Sequence, residues 1–143
     1  MKVFIAGIMQ GSRRDRFIDD QGYRGTIARA ILAHHPEAEI VDPNELHPEG
    51  TDYDDETAQK TLLALLELAG GADLLVAYAP QASMGTAIEM WEAYRARAPV
   101  VTISPMTANW VVRYLSAVVL PDMHAFSAWV SEGGLTRLLA QTT

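Results

Sequence analysis

Apolar and polar positions fall in alternating blocks along this chain. Lys2 to Ile8, Ala38 to Val41, Asp73 to Ala79, Pro99 to Ser104 and Ala117 to Leu120 are short runs rich in Val, Ile, Leu and Ala. Runs of that length, bounded by turn residues, read as strands buried on both faces. Longer stretches with helical spacing separate them. Asp20 to His34 places Ile27, Ile31 and Leu32 on one side, and Asp54 to Leu68 opens on an acidic turn and stops at Gly70-Gly71. Met84 to Arg97, Ala108 to Leu115 and Met123 to Leu139 follow, the last broken at Gly133-Gly134. Asn44 to Asp52, with Pro48 and Gly50, is expected to be a loop. The alternation predicts one α/β domain over residues 1–143, a doubly wound flavodoxin-like sheet of five parallel strands in the order 2-1-3-4-5. The carboxyl ends of those strands would gather Gly7 to Gly11, Asp42, Pro80 to Gly85 and Ser104 to Asn109. Ligands of such sheets bind at that edge.

Composition narrows what can bind there. The chain has 143 residues, 49% of them apolar, and a net charge of −7. That charge disfavours a nucleic-acid polymer, whose phosphates call for clustered Lys and Arg. A single small anion remains compatible, because backbone N–H groups at a helix start can hold it. There is no cysteine, so disulfides, thiolate catalysis and Cys-ligated metals are excluded. The four histidines show no metal-ligand spacing. No apolar run matches a membrane span, and no signal-peptide pattern opens the chain, so a cytoplasmic protein is expected.

The stretch Ala82-Ser83-Met84-Gly85-Thr86-Ala87-Ile88-Glu89 carries the strongest chemical signal. Ser83 stands where an N-cap belongs, and Glu89 lies about two turns further on. A carboxylate there can serve as base or nucleophile. On a helical projection the apolar stripe is Met84, Ala87, Ile88, Trp91 and Tyr94, which places Glu89 on the opposite, solvent side near Gly85, Ala93 and Ala96. Small neighbours suit close approach of a ligand or another subunit. The loop after the first strand is neither a dinucleotide fingerprint nor a Walker A motif. Its Gln10, Ser12 and Arg13 can read a base or sugar, while Gly7 and Gly11 permit the turn. Asp42 can reach the same crevice or simply form the turn before Pro43. Trp91, Trp110 and Trp129 suit a core or an interface.

Three segments give the chain a resemblance to the nucleoside 2-deoxyribosyltransferase family. Phe4-Ile5-Ala6-Gly7 is similar to the family's strand-one motif. Ala72-Asp73-Leu74-Leu75-Val76-Ala77 with Ser83 to Glu89 resembles its A-D-x-x-V-A…[DS]-x-G-x-x-x-E signature. Arg113-Tyr114-Leu115-Ser116-Ala117 is similar to a segment of the branch that hydrolyses 2'-deoxynucleoside 5'-monophosphates. The resemblance implies N-glycosidic chemistry in which Glu89 attacks C1' of a deoxyribose and a second base, or water, takes the sugar. It implies no metal or organic cofactor, and a homodimer or larger oligomer in which Ser116 reaches a neighbour's site. Ser83 matches the serine of the phosphate-accepting branch. Three positions depart from the pattern. The strand-one tyrosine is Phe4 here, and the family's aspartate before strand three falls near Leu65, with Asp54 and Asp55 several turns away. The phosphate branch's loop arginine corresponds to Gln10, with Arg13 and Arg14 close by.

The expected function is therefore transfer of a deoxyribosyl group from one base to another. Glu89 would be the nucleophile, and Gly7, Gln10, Gly11, Asp42, Ser83, Gly85 and Ser116 would bind a small-molecule nucleoside or nucleotide. The rivals are a hydrolase of the same substrates and a non-catalytic nucleotide-binding protein on the same scaffold.

Overall fold

The computed structural model describes residues 1–11, 13–15 and 18–142. The strands form where their apolar runs lie, trimmed at the ends: β1 Lys2–Gly7, β2 Glu39–Val41, β3 Leu74–Tyr78, β4 Val100–Ile103 and β5 Val118–Leu120. All pairings are parallel and the order is β2-β1-β3-β4-β5, as the sequence predicts. The helices are α1 Gly22–Leu32, α2 Pro43–Leu46, α3 Asp55–Gly70, α4 Met84–Arg95, α5 Trp110–Leu115, α6 Met123–Ser131 and α7 Gly134–Thr142. The expected loop after β2 contains helical turns, α2 and a single 3-10 turn at Gly50–Asp52. Asp42 caps α2 by accepting from Asn44 N, and Pro43 supplies the fixed φ that opens a helix. The last helical stretch divides into α6 and α7 at Gly133, whose φ of +79° only a glycine adopts freely.

The period-two alternation of the strands feeds two cores, one on each side of the sheet. Val3, Ile5, Leu74, Val76, Val101 and Ile103 face α1, α6 and α7, where Ile27, Ile31 and Phe126 fill the space. Phe4, Ala6, Leu75, Ala77 and Val100 face the other way, toward Ala69 of α3 and Met90 and Ala93 of α4. The second core mixes the large Phe4, Leu75 and Met90 with Ala6, Ala69, Ala72, Ala77 and Ala93. β1 leads outward to β2, while β3 leads the other way to β4 and β5. The crevice opens between β1 and β3, where Gly7 and Tyr78 are register partners.

Helix α4 corrects one expectation. Its apolar stripe does not face the core: Met84 is 81% exposed, and Ile88, Trp91 and Tyr94 are about half exposed. Thr86, Met90 and Ala93 are the residues it buries. Ala93 is therefore packed inside its own subunit and does not belong to a small-residue contact face.

Candidate active site at the carboxyl edge of the sheet

The chain leaves β3 at Tyr78 and enters α4 through Ser83, the N-cap. Ser83 Oγ accepts from Thr86 N at 3.4 Å and from Thr86 Oγ1 at 2.9 Å. Both bonds use its lone pairs, so its own O–H is left to donate. Gly85 is exposed, and an added Cβ there would meet nothing within 4 Å. The first turn of α4 thus offers free N–H groups and a hydroxyl to open space.

Two turns on, Glu89 is neither solvent-exposed nor paired. It shares the inward flank of α4 with Thr86 and Ala93, is half-buried, and accepts no hydrogen bond among the described residues. Burial pushes its carboxyl up to about 8, against which the Arg24 guanidinium pulls downward. A carboxylate with no hydrogen-bond donor among the described residues keeps its lone pairs available to attack.

Arg24 was not singled out from the sequence, yet it organises this edge. It is 2% exposed. Its Nη1 donates to Ile5 O at 2.7 Å and Asp42 Oδ1 at 3.1 Å, its Nη2 to Gly7 O at 3.4 Å, and its Nε to Gln21 Oε1 at 2.7 Å. The side chain ties the carboxyl ends of β1 and β2 to α1. Asp42, 7% exposed, is held in this ion pair while also capping α2. The signal was available: Arg24, Ile27 and Ile31 form the inner stripe of α1, and a charge on such a stripe needs a buried partner.

Tyr23, beside it, lays its ring over Gly7 and stacks on Tyr78 with centroids 4.3 Å apart. A Cβ on Gly7 would run into that ring, which explains the glycine. The Tyr23 hydroxyl donates to Ile8 O at 3.1 Å, and burial raises its pKa far above the ordinary phenol range, with the Glu89 charge adding to the effect. The phenol that strand one lacks at Phe4 is thus brought to the end of β1 from α1. Phe4 itself is fully buried in the core.

Two cavities flank the loop after β1. One, about 370 Å³, lies under the start of α4 between Gly11, Ala79, Ser83, Thr86 and Asn109. The other, about 610 Å³, lies between Met9 and Gln10 on one side and Asn44, His47, Tyr53 and Asp55 on the other. Leu65 lines this second cavity, while Asp54 is committed to capping α3 through Thr57 N. Gly11, at φ +58°, makes the turn between the two cavities. Arg13 is exposed and paired with Asp19 at 2.8 Å, and Ser12 lies outside the described residues. Gly7, Gln10, Gly11, Asp42, Ser83, Gly85 and Glu89 are thus gathered at one edge. Ser116 is not: it precedes β5, at the opposite end of the sheet, with its hydroxyl 2.6 Å from Thr102 Oγ1. Within one chain it does not reach the crevice. No group of three or more acidic or histidine side chains fit to hold a metal occurs among the described residues, and no described helix is long and apolar enough to cross a membrane.

The architecture matches several solved structures. A 2-deoxyribosyltransferase from Bacillus psychrosaccharolyticus superposes with a TM-score of 0.67 at 18% identity, covering 89% of this chain and 90% of that one. A conserved protein from Enterococcus faecalis V583 gives 0.65 at 18% identity over 93% and 98%. The Clostridium botulinum CMP N-glycosidase BcmB gives 0.56 at 15% identity over 93% and 99%. No protein-family model and no curated protein matches the sequence. The chain therefore has the fold of these proteins.

Proposed function

We propose that this protein is a nucleoside 2-deoxyribosyltransferase-like enzyme. It breaks the N-glycosidic bond of a deoxynucleoside and passes the sugar to a second base. Glu89 is the observation that carries this reading: a half-buried carboxylate, unbonded among the described residues, at the crevice between β1 and β3. As Glu89 attacks C1', positive charge develops on the sugar ring, and the carboxylate stabilises it before bonding to it. Ser83 and the first turn of α4 would hold the 5' end of the sugar in the cavity they line. Gln10 would meet the base across the loop. Arg24 and Asp42 keep that frame in place. The fold likeness to a CMP N-glycosidase supports a second reading, hydrolysis, in which water takes the sugar instead.

The exposed face of α4 and α5 supports a homodimer. Met84, Ile88 and Trp91 continue into Trp110, which is 78% exposed, and Tyr114. A large apolar patch of this kind marks a contact surface. It borders the cavity beneath α4, which Met84 and Val111 help to line.

Chromatography of wild type and Glu89→Ala with a panel of deoxynucleosides, with and without an acceptor base, tests the proposal. A new nucleoside formed only with acceptor, and lost in the variant, is expected. Free base without acceptor favours the hydrolase, and no turnover of any substrate contradicts both readings.

A further inference from the structure

A nucleophile at C1' is half of what N-glycosidic cleavage requires, and this inference rests on that proposed reaction. When a C1'–N bond breaks, its electron pair stays on the ring nitrogen, and departure is slow unless a proton arrives there. Glu89 cannot deliver that proton while it attacks C1'. The cavity beneath α4 holds no titratable side chain among its lining residues. The second cavity holds three, His47, Tyr53 and Asp55. Asp55 is exposed to solvent in the first turn of α3. His47 is half-buried, and histidine is the side chain that ordinarily exchanges protons near neutral pH.

The geometry around His47 suits the task. Its Nδ1 lies 3.1 Å from Tyr53 Oη, and the rings meet edge to face at 5.8 Å and 88°. This contact fixes the imidazole and leaves Nε2 as the nitrogen without a hydrogen bond among the described residues. Met9 and Gln10 form the facing wall. The same loop begins at Ile8, whose carbonyl holds Tyr23 within the field of Glu89. Glu89, on the helix packed against β1 and β3, and His47, in the cavity walled by Met9 and Gln10, thus both lie by the end of β1.

We propose that His47 is a second catalytic residue, the proton donor to the departing heterocycle, with Tyr53 as its positioning residue. As imidazolium it donates through Nε2 to the leaving nitrogen while C1'–N breaks and the bond from Glu89 to C1' forms. The C1'–N electron pair is taken up by that proton. His47 is left neutral, with its Nδ1–H donating to Tyr53 Oη. In the return step the acceptor, a second base or water, gives its proton to Nε2 as it attacks C1' and Glu89 departs. Both residues then regain their starting states.

The test compares an ordinary purine 2'-deoxynucleoside with its 7-methylated cationic counterpart, whose base leaves neutral without a proton. His47→Gln is expected to lower kcat on the ordinary substrate by roughly 100-fold or more and on the methylated one by less than about threefold. Tyr53→Phe should show the same selectivity at roughly tenfold, and added imidazole should restore part of the activity of His47→Ala. Glu89→Ala should abolish both. Equal losses on the two substrates in both variants, without rescue by imidazole, overturn the role of His47 and leave the N-glycosidic reading standing. Wild type that cleaves neither substrate overturns that reading and this proposal with it.

Discussion

Replacing Glu89 with glutamine keeps the shape of the side chain and removes its titration, so it isolates the electrostatics of the crevice. In the unfolded chain this carboxyl ionises near 4.5; in the folded protein it does so at about 8. Between those values the folded state holds a proton that the unfolded state has released. Stability therefore falls as pH rises from about 4.5 to about 8, then levels off. At about 1.4 kcal/mol per pH decade, the ceiling of the effect is roughly 5 kcal/mol. The side chain keeps partial contact with solvent, so we expect about 2–4 kcal/mol. Urea denaturation of both proteins at about pH 5 and about pH 9 reads this directly. Wild type should lose that much more stability than Glu89→Gln between the two conditions. A difference between the proteins that stays constant within about 0.5 kcal/mol across that range would refute the reasoning.

Three further outcomes follow from the same geometry. On the 7-methylated substrate, which needs no proton from His47, kcat/KM should rise with pH and reach a plateau above about 8 as Glu89 ionises; a fall over that range would make Glu89 a proton donor instead. Arg24→Gln strands the buried Asp42 carboxylate and should cost about 3–5 kcal/mol by urea denaturation, with the Arg24→Gln, Asp42→Asn pair costing less than the sum of the single changes. Trp91→Glu combined with Trp110→Glu should convert a dimer to a monomer in sedimentation; a monomeric wild type at micromolar concentration would refute the interface.

The strands, their order and the edge that gathers the candidate residues were legible because apolar blocks and turn residues repeat in register with the fold. Ser83 was legible as a cap because N-cap chemistry is local. The orientation of α4 was not. Amphipathic reasoning points the apolar stripe at the core, and here Thr86, Met90 and Ala93 turn inward instead. Glu89 was therefore found by its position after β3 and misplaced by its helical projection. Arg24 was hidden by the habit of reading charges as surface residues, although it continues the Ile27–Ile31 stripe. The pairing of His47 with Tyr53 depends on α2 and the 3-10 turn folding back, and these turns lie in a segment that reads as a loop. Ser116 shows the complementary case: a short local match assigns it to a neighbouring subunit's site, and in its own subunit it lies before β5, away from the crevice.

Covalent catalysis by Glu89 requires a bond between its carboxylate and the sugar. Wild type and Glu89→Ala should be mixed with a deoxynucleoside that wild type turns over, quenched in acid within the first turnover, digested, and examined by peptide mass spectrometry. The account predicts a deoxyribosyl adduct on the wild-type peptide that contains Glu89, absent in the variant and discharged on adding acceptor base. Turnover by wild type with the adduct on another residue, or undiminished turnover by Glu89→Ala, would contradict it.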